Sequence, residues 1–185
     1  MKVTPTAIAD VLIIEPKVFG DSRGFFYESF NQKAFNQATG LNETFVQDNM
    51  SRSAHNVLRG LHYQINNPQG KIVQVLSGEV FDVAVDLRKS SSSFGRWVAT
   101  ILSATNRLQH WIPPGFAHGF LVTSVSADVL YKTTCYYSPH HERTIAWHDV
   151  DIGILWPLQG IPILSAKDLH AEGLKNAELP DPLYP

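Results

Sequence analysis

A period-two alternation of side chains through the middle of the chain constrains its fold more than any other feature. In residues 80–87, Phe81, Val83, Val85 and Leu87 point one way while Asp82 and Asp86 point the other, the repeat of a strand and not of a helix. Lys71-Ile72-Val73-Gln74-Val75-Leu76 reads as a strand just before it, and Ser77-Gly78 between them has hairpin-turn chemistry. Further strands are expected at residues 25–30, 45–53, 97–102, 109–112, 119–125 and 129–136, with turn-forming residues at 66–70, 89–93 and 103–106. Helix signals are few. Residues 32–38 fit two turns closed by Gly40, and Ser165-Ala166-Lys167-Asp168 is a variant capping box leading into residues 169–174. Many short strands with turns at this spacing mean an all-β sandwich, jelly roll or barrel with a few short helices.

The length of 185 residues suits one domain spanning 1–185, with an irregular tail after Glu178 where Pro180, Pro182 and Pro185 fall. A charged fraction of 17% beside 44% apolar residues excludes a disordered chain. The net charge of −2 offers no basic field for nucleic acid, so an anionic ligand must be held by a local cluster of arginine and lysine. The lone Cys135 excludes an internal disulfide and fits a reducing compartment. Residues 1–10 lack the apolar run of a signal peptide, and Val11-Leu12-Ile13-Ile14 is too short to cross a bilayer. A soluble cytoplasmic protein with no membrane partner is expected.

Chemistry centres on two segments, Arg59-Gly60-Leu61-His62-Tyr63-Gln64 and Pro113-Pro114-Gly115-Phe116-Ala117-His118. Each sets a histidine in a β-forming, apolar stretch introduced by glycine. His62 reads either as a hydrogen-bonded core histidine or as a general base facing a barrel interior, and His118 poses the same choice. The spacing Pro-x-Gly-x-x-His before His118 resembles the second motif of the cupin superfamily. A metal-binding cupin would also offer His-x-His and a downstream Glu, but Gly60 and Gln64 stand two residues either side of His62. Two histidines fall short of the three or four ligands a zinc or iron site needs, so no metal is expected.

Polar residues recur around these segments: Arg23 and Glu28 in Asp21-Ser22-Arg23-Gly24-Phe25-Phe26-Tyr27-Glu28, the triplet Gln47-Asp48-Asn49, Arg59 and Lys71 about His62, and Tyr131-Lys132. Singly, each basic residue reads as a solvated charge. Arg23 and Arg59 also suit bidentate contact with phosphate oxygens. Together, residues 21–26, 45–49, 59–64, 69–76, 78–86, 112–120 and 131–132 resemble the dTDP-4-dehydrorhamnose 3,5-epimerases, metal-free cupin-type sugar-nucleotide epimerases. The resemblance runs from about Val11 to Asp168, with no departure at the motif positions.

It implies a cupin-type jelly-roll barrel, a homodimer, no cofactor, and a dTDP-linked 4-keto-6-deoxyhexose as substrate. It also implies roles. His62 would be the base, Tyr131 the acid on the opposite face, Asp168 the partner of His62, and Lys71 the cation at the enolate oxygen. Arg23, Glu28, Gln47, Asp48, Asn49, Arg59, His118, Glu142 and Lys167 would contact the nucleotide sugar, some across the dimer interface. Alternatives stay open for two residues: Asp168 also fits a helix cap after Ser165, and Tyr131 a packed strand aromatic. The missing Gly-x-Gly-x-x-Gly loop agrees with a reaction that moves protons and no net hydride.

Overall fold

A computed structural model describes residues 1–180; Pro182 and Pro185, expected in an irregular tail, lie outside them. Strands β1 (Lys2–Pro5), β2 (Leu12–Glu15), β3 (Val18–Asp21) and β4 (Gly24–Tyr27) precede helix α1 (Gln32–Thr39). Then come β5 (Gln47–Ala54), β6 (Leu58–Gln64), β7 (Lys71–Ser77), β8 (Glu79–Asp86) and β9 (Trp97–Ser103). The chain continues through β10 (Gln109–Ile112), β11 (Phe116–Val122), β12 (Ser126–Thr133) and β13 (Glu142–Thr144), and α2 (Ala166–Leu169) follows.

Two antiparallel sheets enclose the core in a jelly-roll barrel. One has the order β1-β2-β10-β7-β12-β5, the other β13-β6-β11-β8-β9, and β3 and β4 pair as a separate ribbon. The non-consecutive neighbours are what close the barrel: β11 sits between β6 and β8, and β12 between β5 and β7. Val73, Val75, Ala84, Val98, Phe120, Val122 and Val129 share the cluster between the sheets. The other face of β8, carrying Val83 and Val85, packs with Ile145, Ile152 and Trp156 from the chain after β13. Both faces of β8 are therefore covered, and Asp82 and Asp86 are fully buried.

Helix α1 forms where its signals lie. Asn31 caps it by accepting from the Ala34 N–H, and Gly40 ends it in the left-handed conformation with its N–H on the Asn36 carbonyl. Its buried Phe35 joins Trp111, Phe45 and Phe30 in edge-on ring contacts over the outer face of the first sheet.

Several expected boundaries shift. The strand expected at 25–30 is β4, which ends at Tyr27 and pairs only with β3. The strands expected at 119–125 and 129–136 are β11 and β12, each beginning and ending about three residues earlier. The helix expected to run through 169–174 stops after one turn, because Glu172 bridges Ile145 in an extended conformation; a short 3-10 turn follows at Leu174–Asn176. Strands β1, β2, β3 and β13 carry too little alternation to be read in advance. No described helix is long and apolar enough to cross a membrane.

Candidate active site

A cavity of about 350 Å³ opens between the sheets, and its walls gather most of the singled-out residues. Strand β5 alternates cleanly, so Gln47, Asn49 and Ser51 reach the cavity while Asp48, Met50 and Arg52 face out. Asp48 lies on the outer face with Lys132, whose ammonium donates to both of its carboxylate oxygens at 2.8 Å. Arg59 and His62 are three apart, so strict alternation would send them to opposite faces. A register shift prevents that: His118 of β11 pairs with His62, but Phe120 pairs with Arg59, which leaves one extra residue on β6. This bulge brings both side chains into the cavity. It also draws the strands together at Gly60 (φ 106°) and Gly119. A Cβ on Gly60 would stand 2.5 Å from the His118 carbonyl oxygen, and one on Gly119 2.7 Å from that of Arg59.

His62 and His118 are thus direct cross-strand neighbours on the second sheet. Tyr131 of β12 and Lys71 of β7 enter from the first sheet. His62 holds Asp168 at 2.6 Å through Nε2. Burial works against the Asp168 carboxylate, but the hydrogen bond and charge of His62, with help from Ser165, outweigh it and hold its pKa below the usual range. An ionised carboxylate only accepts, so His62 Nε2 donates to Asp168 and the ring turns Nδ1 away from it. Asp168 also takes part in the cap that Ser165 makes on α2. Its N–H donates to Ser165 Oγ at 3.1 Å, and the Ser165 hydroxyl donates back to the carboxylate at 2.8 Å. Both readings of Asp168 hold in part: its N–H is capped by Ser165, and its carboxylate accepts from the Ser165 hydroxyl and from His62.

Lys71 is buried, and desolvation pulls its pKa down to about 8. Tyr131 moves the other way: burial and the Glu142 charge raise its phenol above the ordinary value, with Arg59 opposing. Burial opposes the charge of Glu142, yet the Lys167 ammonium at 2.8 Å keeps its carboxylate below the usual value. At neutral pH the cavity thus offers a protonated phenol and an ammonium together with the Asp168-bound imidazole of His62. Arg59 donates through Nε to Ser53 Oγ at 3.0 Å, and among the described residues its terminal nitrogens are left to face a ligand. Among the described residues, no group of three His, Cys, Asp or Glu side chains is placed to hold a metal ion.

Arg23 and Glu28 do not line this cavity. Arg23 sits on the exposed ribbon, ion-paired with Asp21 at 2.6 Å beside Phe19, Phe25 and Phe26. Glu28 follows β4 and accepts from Asn31. Sequence reasoning missed Ser51, Gln69 and Tyr137 in the cavity wall. Ser51 was detectable, since the alternation of Gln47 and Asn49 continues to it. Tyr137 lies on a loop with no periodicity, tied there by its N–H on Gln47 Oε1 and its hydroxyl on Glu142.

Comparison with known proteins shows the family to which this fold belongs. The family model described as dTDP-4-dehydrorhamnose 3,5-epimerase matches residues 5–176. The curated Salmonella typhimurium protein named dTDP-4-dehydrorhamnose 3,5-epimerase is 59% identical over 97% of this chain and 98% of its own length. A crystal structure of the Legionella pneumophila enzyme RmlC, in complex with dTDP-4-keto-L-rhamnose, superposes with a TM-score of 0.95 at 52% identity, covering 97% of each chain. A 3'-monoepimerase from Streptomyces bikiniensis, bound to dTDP-quinovose, has the same fold at a TM-score of 0.89 and 33% identity, over 97% of this chain and 92% of its own. With its jelly-roll barrel, its histidine–aspartate pair and these near full-length matches, the chain belongs to the dTDP-4-dehydrorhamnose 3,5-epimerase family.

Proposed function

We propose that this protein inverts C3 and C5 of dTDP-4-dehydro-6-deoxy-D-glucose to give dTDP-4-dehydro-L-rhamnose, with the described cavity as its active site. Both hydrogens lie alpha to the C4 ketone, so removing either leaves an enolate with its charge on the C4 oxygen. His62, held by Asp168, is the base; the buried carboxylate orients the ring and supports the imidazolium that forms. Lys71 stabilises the enolate oxygen, where a desolvated ammonium acts far more strongly than in water. Tyr131, on the opposite sheet, returns a proton to the other face of the sugar. Arg59, Gln47, Asn49, Glu142, Lys167 and His118 hold the nucleotide sugar. The observation that carries the reading is the base and the phenol on facing walls of one cavity, with the ammonium beside them.

The protein works as a homodimer in this reading. The β3–β4 ribbon belongs to neither sheet and exposes Phe19, Phe25 and Phe26 by 53%, 59% and 68%. A second copy would cover them and bring Arg23 and Glu28 toward a ligand.

The test is turnover of dTDP-4-dehydro-6-deoxy-D-glucose in deuterated water, with NMR at H3 and H5. Deuterium entering both positions, with a product accepted by a rhamnose-forming reductase, supports the double epimerase. Exchange at one carbon alone makes the protein a single-centre epimerase, and exchange at neither refutes the reaction.

A further inference from the structure

Behind the cavity lie Asp82 and His110, which the mechanism does not use and which reach the cavity only through His118. Asp82 of β8 and His118 of β11 come from the second sheet, and His110 of β10 from the first. Asp82 takes one histidine on each carboxylate oxygen, His110 Nδ1 on Oδ1 and His118 Nε2 on Oδ2, both at 2.8 Å. His110 and Asp82 are fully buried, and His118 is 6% exposed on the cavity wall. This charged link crosses a core whose neighbours include Val73, Ala84 and Phe120. Apolar residues of similar volume would ordinarily serve stability as well or better, so the link calls for another role.

The proton positions follow from the acceptor. Asp82 is held ionised; burial opposes its charge, but the two histidines outweigh it. A carboxylate only accepts, so His110 carries a proton on Nδ1 and His118 one on Nε2. His110 Nε2 is buried and finds no partner among the described residues. A bare lone pair there is tolerable, whereas a proton on it would be left without an acceptor. Any further proton must then go to Nδ1 of His118, its ring nitrogen left for the cavity. Burial is the largest influence against that proton on His118; of the charged groups around it Asp82 favours the proton and Lys71 opposes it, and His62 is its cross-strand neighbour.

We propose that His110 tunes His118 through Asp82: by occupying one carboxylate oxygen it weakens the carboxylate's hold on a charged His118, which stays neutral and presents Nδ1 to the sugar nucleotide as an acceptor. A neutral His118 also spares Lys71 a second buried cation nearby, which would drive off the proton Lys71 needs. His110 is in this scheme a positioning residue, remote from the reacting atoms, and the inference rests on the epimerase reading for its use.

The test is nitrogen-15 NMR titration of the His118 ring in the wild type, His110→Leu and His110→Asn, with kcat/KM against pH for each. His110→Leu should raise the His118 midpoint by about half to one pH unit, the equivalent of one lost hydrogen bond to Asp82. The acid limb of kcat/KM should move up with it. His110→Asn, whose amide can donate where Nδ1 did, should titrate like the wild type. An unmoved midpoint in His110→Leu overturns the proposal, as does a wild-type His118 that is charged at neutral pH or protonated at Nδ1 when neutral. Should His110→Leu fail to fold, His110→Met is expected to show the same rise, and an unmoved midpoint there overturns the proposal. A wild type inactive on the sugar nucleotide would refute the reaction, and the titrations would still judge the His110 linkage.

Discussion

Lys71→Met removes the buried ammonium but keeps an unbranched stem, and should make the fold more stable at neutral pH while removing most of the activity. Burial lowers the Lys71 pKa from 10.5 to about 8. At about 1.36 kcal/mol for each tenfold change in proton affinity, the charged form in the folded protein is disfavoured by about 3 kcal/mol. Its long contact with the His62 carbonyl oxygen, at 3.5 Å, returns little of that. Below about pH 8 folded and unfolded chains both hold the proton, and the folded state bears the whole penalty. Between about 8 and 10.5 the unfolded chain holds it and the folded protein releases it, so wild-type stability rises with pH. Methionine carries no such term. At fixed protein concentration, thermal unfolding at pH 7 should place Tm of Lys71→Met roughly 5 °C or more above the wild type. That gap should shrink as pH climbs from about 8 toward 10.5. Turnover should drop by about two to three orders of magnitude, the usual loss when a group stabilising a developing oxyanion is removed. Wild-type kcat/KM should decline above pH 8 as the ammonium is lost. A variant less stable than the wild type at pH 7, or a gap that ignores pH, would refute the reasoning.

Four further substitutions probe the remaining assignments. His62→Ala should abolish turnover and leave dTDP binding by calorimetry within a few-fold; near-normal activity would remove His62 from the mechanism. In Tyr131→Phe, solvent deuterium should still enter C5 while net inversion collapses, and inversion at the normal rate would assign the acid to another group. Arg59→Ala should raise KM by about tenfold or more with little change in kcat, as befits a ligand-binding cation; a loss confined to kcat contradicts that role. Phe26→Ser should weaken the dimer in sedimentation while leaving the circular dichroism of the folded chain unchanged, since Phe26 is exposed within one chain. An unchanged sedimentation profile would take Phe26 out of the proposed interface.

The sequence alone determined what neighbours along the chain decide. The period-two repeat of residues 80–87 and the Ser77-Gly78 turn became β8 and the β7–β8 hairpin, and the Asn31 and Gly40 caps bounded α1, because turn conformation, capping and strand faces depend on residues a few positions apart. The motifs about His62 and His118 were legible for the same reason. Tertiary structure decided the rest. Asp82 sits on what reads as the polar face of β8, yet it is fully buried, because the chain after β13 covers the apolar face and the barrel encloses the other. Arg59 and His62 share the cavity only through a bulge whose register is set by β11. Asp168 meets His62 across 106 residues. The β3–β4 ribbon pairs with neither sheet, although Phe25 and Phe26 read as strand residues. Contacts of this kind form when distant strands close on one another, and the pattern within a single strand does not record which partner it meets or in what register.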